Sequence, residues 1–411
     1  MSAAAEDDLD LVVIGGGPAG EKGAAQAAYF GKRVAVVERA KEPGGAAVHT
    51  GTLPSKTLRE AALYLSGHRS RELYGVAVDL EARGMLQGLM RRKAAIAAAE
   101  SLRIRNNLAR HQVELIEGHA RFTSPHEVCV THADGSTRTL RAKFVLVATG
   151  TKPRQPEEID FTSPLVHDSD EVLEIGELPR SLTILGAGVI GCEYACMFAA
   201  LGIRVELVEP RSEILGFMDR EMVAALERAM AELGVRLHLG RAWGAVTLGA
   251  DGDSVHTQLG DDTLVTHHLL FAAGRMGCTA DLGLEHVGVR PNSRGLLTVD
   301  EVYRTAAPYV LAAGDVIGFP ALASTSMEQA RVAVCHAFGF DYKKSVSGTL
   351  PYGIYTIPEL SSVGESEESA RAAGLDVAVG RAFYRENARG QISGDTEGIT
   401  KLVVHRHTRK I

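Results

Sequence analysis

The sequence predicts an α/β protein in which two similar units, each a parallel sheet flanked by helices, are followed by a smaller α+β segment. Three observations predict it. A run beginning at Leu11, LVVIGGGPAGEKGAAQAAYFGKRVAVVER, recurs without a gap as LTILGAGVIGCEYACMFAALGIRVELVEP from Leu182, a constant offset of 171 residues. Each copy passes from an apolar strand through a glycine turn into a helix and out into a second apolar strand. Three further apolar strands end in glycine turns: FVLVATGTKPR (Phe144–Arg154), LLFAAGRMG (Leu269–Gly277) and TAAPYVLAAGDV (Thr305–Val316).

Within the repeat, Gly15, Gly17 and Gly20 match Gly186, Gly188 and Gly191, Gly31 matches Gly202, and Glu38 matches Glu209. In such a G-x-G-x-x-G turn the first glycine permits the tight bend, the second lets backbone approach a pyrophosphate, and the third brings helix against strand. The helix N-terminus then offers unpaired N–H groups and the positive end of its dipole to phosphates. Glu38 and Glu209 stand where a carboxylate accepts hydrogen bonds from a ribose 2′-hydroxyl. One such motif is weak. Two complete copies, each with strand, helix and distal carboxylate, predict two Rossmann-like dinucleotide sites.

Composition narrows the class. The chain has 411 residues, a length that suggests two or three domains, and 45% apolar with 23% charged residues places it among globular proteins. Lys plus Arg is 44 and Asp plus Glu is 51, a net charge of −7, which gives no global attraction to nucleic acid or an anionic membrane. The 44 glycines lack a collagen period and fit nucleotide turns. Five scattered cysteines, an odd number, argue for a reducing compartment. The acidic start lacks the positive region of a signal peptide. Leu182–Ile203 is apolar enough to resemble a membrane span, but phosphate-loop glycines and Glu193 interrupt it. A cytoplasmic protein is expected, with no nucleic-acid or membrane partner.

Two dinucleotide sites mean either two nicotinamide cofactors or a flavin with a nicotinamide. Thr305–Val316, ending in Gly314-Asp315 ahead of a helix from about Ala323, decides between them. It matches the flavin-binding pattern T-x-x-P-x-[VI]-[YL]-A-x-G-D. Over essentially the whole chain these motifs, in this order, resemble the FAD-dependent pyridine nucleotide–disulfide oxidoreductases. The resemblance implies a FAD site at Gly15, Gly17, Gly20, Glu38 and Arg39, extended by Gly44, Gly45, Ala47, Thr52 and Lys56. Thr149, Gly150, Asp315 and Ala323 complete it. It implies a site for NAD(H) and NADP(H) at Gly186, Gly188, Gly191, Glu209, Arg211, Gly274 and Arg275.

Disulfide-reducing members carry G-G-x-C-x-x-x-G-C-x-P-S-K after the first repeat. Here Gly44 to Lys56 reads GGAAVHTGTLPSK, so Ala47 and Thr52 occupy both redox-cysteine positions. With no thiolate there, disulfide reduction is excluded by residue type. HTGTLPSKTLREAALYLSG, RELYG and PYGIYTIPELSSVG resemble the soluble, Si-specific pyridine nucleotide transhydrogenase branch, in which a threonine at the second position is usual. That resemblance implies FAD-dependent hydride exchange between NADPH and NAD+. A quinone or dye reductase of the same fold, and an inactive nucleotide-binding fragment, are the competing readings. Lys56 and Glu193 are the catalytic pair the family implies, the lysine near the flavin N5 and the glutamate its partner. Glu193 lies in an apolar helix, where a carboxylate needs a partner.

The motif order gives a discontinuous FAD domain at 1–155 and 281–342, a nicotinamide-nucleotide domain at 156–280, and a partial interface domain at 343–411. Family members continue past such an end, so a homo-oligomer is expected but weakened. Strands LVVHRH and YGIYTI are expected to lack neighbours and to favour aggregation. Leu80–Arg110 reads as a helix of packing and surface residues. Cys192 and Cys196, at i and i+4, are expected to fill core rather than form a strained disulfide. His267 and His268 are expected on opposite faces of a strand, and no metal site is expected. Arg91-Arg92-Lys93 and Lys343-Lys344 read as solvated. Glu209 favours NAD; Arg211 reads either as a surface arginine or as a group reaching a 2′-phosphate.

Overall fold

The computed structural model describes residues 8–66 and 82–411. It divides into two compact units, one of residues 1–54, 93–153 and 275–348, the other of 55–92, 154–274 and 349–411. In chain order the first repeat gives strand β1 (Asp8–Ile14), helix α1 (Pro18–Tyr29) and strand β2 (Val34–Glu38). Helices α2 (Gly45–His49), α3 (Thr52–Ser66) and α4 (Ala82–Arg110) follow. Strands β3 (Glu114–Glu117), β4 (His119–Ser124), β5 (Glu127–Thr131), β6 (Thr137–Val147) and β7 (Thr151–Pro153) complete this stretch.

After β8 (Val166–Asp168), the second repeat forms β9 (Ser181–Leu185), α5 (Val189–Ala200) and β10 (Arg204–Glu209). Helix α6 (Arg220–Glu232) and strands β11 (Val235–Leu239), β12 (Val246–Leu248), β13 (Val255–Leu259), β14 (Asp262–Thr266) and β15 (His268–Phe271) come next. The chain continues through β16 (Arg275–Gly277), β17 (Val310–Ala312) and α7 (Ala323–Phe338). It closes with β18 (Pro351–Ile354), β19 (Leu360–Val363), α8 (Glu367–Ala372), β20 (Val377–Phe383), α9 (Ala388–Ser393) and β21 (Ile399–His405).

The repeat extends further in three dimensions than in sequence. The first unit's parallel core runs β3-β2-β1-β6-β17, and the second unit's runs β11-β10-β9-β15-β8. Each core carries an antiparallel excursion ahead of the strand that returns beside the first strand of its repeat: β4, β5 and the first half of β6 after β3 in one, β12-β13-β14 between β11 and β15 in the other. The edge strand comes from opposite directions, β17 from far downstream and β8 from just upstream of the second repeat.

Alternation along the central strands separates two apolar faces. In the first unit Leu11, Val13, Leu146 and Leu311 pack with Ala24 and Ala27 of α1 and Ala330, Ala333 and Val334 of α7. Val12, Ile14, Val145 and Val147 face Phe122, Val130 and Leu140 of the antiparallel excursion. The second unit repeats this scheme: Leu182, Ile184 and Leu207 pack with α5, and Leu185, Val208 and Phe271 with Trp243, Val255 and Leu259. Helix α5 is buried from Gly191 to Ala200, which explains its span-like hydropathy. Among the described residues no helix is long and apolar enough to cross a membrane.

Three expectations are corrected. Strand β18 pairs antiparallel with β19, and β21 pairs with β20 over seven residues from His405–Val377 to Ile399–Phe383, so neither YGIYTI nor LVVHRH lacks a neighbour. A short connection joins β18 to β19, whereas β20 and β21 are joined through residues 384–398, which include α9; hydrophobic pattern alone identified neither pairing. Lys93 is buried whereas Arg91 and Arg92 are exposed, because successive helix positions turn by about 100° and carry the third residue of the run onto the packed face. Lys343 and Lys344 lie at the surface as expected, Lys344 78% exposed, and pair there with Glu328 (2.5 Å) and Asp341 (2.8 Å). Leu80 and RELYG lie outside the described residues; the expected helix is described from Ala82.

The glycine turns generate a stability contrast. A Cβ on Gly191 would lie 1.9 Å from the Gly186 carbonyl oxygen, whereas one on Gly188 would meet nothing within 4 Å. Gly191→Ala is expected to cost about 3 kcal/mol through backbone displacement, and Gly188→Ala under about 1 kcal/mol as a helix-cap change. Urea unfolding of the two variants checks the difference.

Candidate functional site

The two glycine turns are built alike, bond for bond. Gly15 and Gly186 have φ of +104° and +102°, a region that favours glycine. Gly15 N–H donates to the Val37 carbonyl and Gly186 N–H to that of Val208, both at 2.8 Å. Gly17 and Gly188 precede α1 and α5 with nearly identical dihedrals, φ −74° ψ −172° and φ −75° ψ −172°, and no side chain caps either helix. The first-turn N–H groups therefore remain for a ligand, and the helix dipole makes that ligand an anion.

The distal carboxylates are part of the same construction. Glu38 Oε2 accepts from Gly16 N–H at 2.7 Å and its Oε1 from Ala40 N–H at 2.9 Å. Glu209 makes the equivalent bonds, to Ala187 N–H at 2.8 Å and Arg211 N–H at 3.1 Å. The second site differs by one side chain. Arg211 Nε and a terminal guanidinium nitrogen also donate to the two oxygens, at 2.8 and 3.2 Å. Burial works to raise the Glu209 carboxyl, but these donors hold it below the usual range.

In the first unit, Gly44 and Gly45 open α2, Ala47 lies within it, and exposed Thr52 begins α3. Arg39 is exposed beyond the end of β2. Thr149 and Gly150 follow β6, and the buried Thr149 hydroxyl oxygen has no hydrogen-bond partner among the described residues. Asp315 follows Gly314, whose N–H is held by Gln329 of α7 at 2.9 Å. Burial pushes the Asp315 carboxyl up, opposed by the nearby Arg275 cation and a 3.5 Å bond from the Thr151 hydroxyl. Arg275 itself donates to the Thr151 hydroxyl and carbonyl, both at 2.8 Å, so its place is with these first-unit residues. Ala323 is the first residue of α7, and Gly274 accepts from Arg154 N–H at 3.1 Å in the second unit.

The second unit brings together Lys56 on α3 and Glu193 on α5, 137 residues apart. Lys56 Nζ lies 2.9 and 2.7 Å from the two carboxylate oxygens. Tyr355 N–H donates to the same carboxylate at 2.9 Å, and the Lys56 ammonium sits 4.7 Å from the Tyr355 ring centroid. One turn along α3, buried Arg59 donates to the Thr356 carbonyl at 2.8 and 3.2 Å and pairs with Glu359. Sequence reasoning missed Tyr355 and Arg59; their roles depend on contacts with residues 162 to 299 positions away, for which no local pattern exists.

Cys192 and Cys196 are buried free thiols, and burial pushes Cys196 up to about 12. Neither is a reactive thiolate. The histidine expectation is corrected: His267 falls in the junction between β14 and β15, so its ring lies 4.3 Å from that of His268 instead of across the sheet. His268 also contacts His167, Nδ1 to Nε2, at 2.9 Å. Glu177, His267 and His268 place ligand-type atoms within 4.8 Å of one another. However, His267 Nδ1 accepts from Arg180 N–H, so its Nε2 carries the proton that bonds Asp253 at 3.1 Å, and no lone pair remains for an ion.

Residues 9–337 match the family model described as pyridine nucleotide-disulphide oxidoreductase, and 350–411 match that family's dimerisation domain. The chain belongs to this family. It is therefore an oxidoreductase. A protein of Mycobacterium tuberculosis named soluble pyridine nucleotide transhydrogenase is 43% identical over 98% of this chain and 86% of its own length. One of the same name from Hahella chejuensis is 40% identical over 99% and 87%. Among solved structures, LpdA from Mycobacterium tuberculosis has a TM-score of 0.87 at 31% identity, covering 97% of this chain and 88% of that one. The HOCl-induced flavoprotein disulfide reductase RclA from Escherichia coli has 0.86 at 29%, covering 98% and 88%. Within a family named for disulphide chemistry, this oxidoreductase has alanine and threonine at positions 47 and 52.

Two expected outcomes follow from the second unit of this oxidoreductase. Glu193→Ala leaves Lys56, only 23% exposed, without its counter-charge, and should cost about 2–4 kcal/mol in urea unfolding, with Glu193→Gln costing less. Burial and the neighbouring His167 and His267 hold His268 down at about 3 against 6.5 when unfolded. The unfolded chain then binds more protons as pH falls below 6.5. Stability should decline towards acid by up to about 1.4 kcal/mol per pH unit from this group. Unfolding free energies between pH 7 and 5, in the wild type and His268→Asn, measure the slope that this imidazole contributes.

Proposed function

We propose that this oxidoreductase is a flavoprotein that exchanges hydride between NADPH and NAD+, with no redox-active disulfide. The observation that carries the reading is the pair of matched glycine turns, each bonded to its strand-end carboxylate, in a chain with Ala47 and Thr52 at the positions where the family's disulfide reducers carry cysteine. The names of the relatives support the same reaction.

FAD is assigned to the first unit. The α1 amides would meet its pyrophosphate, Glu38 its ribose, and the unpartnered Thr149 hydroxyl and the Gly314-Asp315 turn its remaining polar atoms. Arg39, Gly44, Gly45, Ala47, Thr52, Gly150 and Ala323 are assigned to the same cofactor. When bound, FAD supplies a two-electron carrier able to take hydride from one nicotinamide and return it to another. The turn at Gly186, Gly188 and Gly191 takes NADPH and NAD+ in alternation, with Glu209 and Arg211 at the adenosine ribose. Lys56 and Glu193 are assigned as the catalytic pair, the lysine a fixed positive charge that the glutamate positions. The protein's contribution is orientation and exclusion of water. Homodimerisation through 350–411 and a cytoplasmic address, consistent with five free thiols, belong to the same reading.

The test is to purify the protein, measure its flavin content and mix it with NADPH and thio-NAD. A yellow protein that reduces thio-NAD is expected. Reduction of quinones without transfer to thio-NAD would indicate the quinone reductase, and a colourless protein the inactive binder. Lys56→Met should retain FAD while lowering the rate of transfer at least tenfold, read by stopped-flow flavin absorbance.

A further inference from the structure

The equivalence of the two repeats continues beyond the second strand, into the loop that follows it. Gly16 donates its N–H to Glu38, and its carbonyl accepts from Gly44 N–H at 3.0 Å. At the offset of 171, Ala187 donates to Glu209, and its carbonyl accepts from Leu215 N–H at 3.2 Å. The residue between the first two glycines of each turn is thus gripped at both ends, and the returning loop supplies one of the grips. The loops differ in what holds them. Gly44 takes its φ of +132° without a side chain to strain it, whereas buried Leu215 sits at +45°, a conformation that a leucine keeps only when its surroundings impose it.

Within the second unit, part of those surroundings comes from the segment matched to the dimerisation domain. The Phe217 ring lies 5.6 Å from that of Tyr352 in β18. Asp219, which caps α6 by accepting from Glu221 N–H and Met222 N–H, meets Lys401 of β21 at 2.8 Å. The Lys401 side chain is only 5% exposed and also reaches Glu221 at 3.1 Å and Glu367 of α8 at 2.9 Å. Directly across the β20–β21 pair, Arg381 holds the same two glutamates, at 2.7 and 3.1 Å. Two cations facing each other across paired strands repel. The three carboxylates offset that repulsion, and two of them belong to the start of α6. Burial opposes the charges, yet the contacts within the cluster hold Lys401 above, and Asp219 below, their ordinary values. The docked strands therefore fix the far end of the loop whose near end grips Ala187.

We propose that Lys401 is a positioning residue for the second glycine turn: it holds Asp219 and, through the 215–219 loop, the Ala187 carbonyl, so that docking of the C-terminal segment and dinucleotide binding strengthen each other. With the cluster broken, Leu215 is free to leave its left-handed conformation, and the bond to Ala187 goes with it. The turn then has to be ordered by the nucleotide itself, which lowers affinity. Linkage makes the effect reciprocal: a nucleotide that orders the turn tightens the loop and the strands docked on it. This rests on the assignment of a nicotinamide nucleotide to the second turn, but its test needs no hydride transfer.

ADP-ribose, titrated calorimetrically into the FAD-loaded full chain, reads the turn apart from the chemistry. Lys401→Met should weaken ADP-ribose about fivefold or more, and Lys401→Arg, which keeps the charge, should recover most of that loss. Asp219→Asn keeps a helix cap while removing the charge, and gives the same reading in a chain whose α6 still starts correctly; it too should weaken ADP-ribose. In the wild type, ADP-ribose should slow amide hydrogen exchange across 377–405, and Asp219→Asn should abolish that protection. Reduced stability in both variants with ADP-ribose affinity unchanged would overturn the proposal and leave the cluster a structural clamp. A wild type that binds no ADP-ribose would overturn the placement of the nucleotide at this turn, and the coupling with it. A chain that shows the coupling but never reduces thio-NAD would refute the transhydrogenase reading alone and uphold the role of Lys401.

Discussion

The strand–turn–helix repeat in both units depends on one close approach: the third glycine of each turn lies against the carbonyl of the first. A Cβ on Gly20 would sit 1.8 Å from the Gly15 oxygen, and one on Gly191 1.9 Å from that of Gly186. That contact brings the helix axis directly off the end of the central strand, with its uncapped N–H groups clustered at the sheet's carboxyl edge. The same turn donates an N–H to the carboxylate of the next strand, so glycine, helix and glutamate are one mechanical assembly. Without it, α1 and α5 could not reach the apolar stripes of Leu11 and Val13, and of Leu182 and Ile184, that they cover.

Identical mechanics leave room for different chemistry. Glu38 and Glu209 have the same backbone partners, yet only the second is neutralised by an arginine two residues on. Burial makes that pairing consequential, because a carboxylate removed from water depends strongly on its donors. The duplicated framework thus carries one site with an open carboxylate and one with a masked carboxylate.

The second unit adds a connection with no counterpart in the repeat. Lys56 and Arg59, one turn apart on α3, hold respectively the carboxylate of α5 and the backbone of the segment after β18. Tyr355 closes the arrangement from that segment, giving its N–H to Glu193 and its ring to Lys56. A charge pair that would be costly to bury alone is satisfied here by three separate stretches of chain.

The sequence by itself determined the local units. Periodicity and glycine spacing are short-range signals, and they identified both strand–turn–helix repeats, the paired carboxylates, the absence of cysteine at 47 and 52, and the need of Glu193 for a partner. Tertiary structure alone decided the rest. Tyr355 and Arg59 act through residues distant in the chain, the histidine rings meet because a strand breaks at His267, and β18 and β21 pair with β19 and β20, the latter across a helix-containing connection. The edge strand of each sheet likewise comes from a remote segment in one unit and a preceding one in the other. Spacing along a chain encodes how each turn bends; which distant side chains meet is set only when the sheets and helices pack.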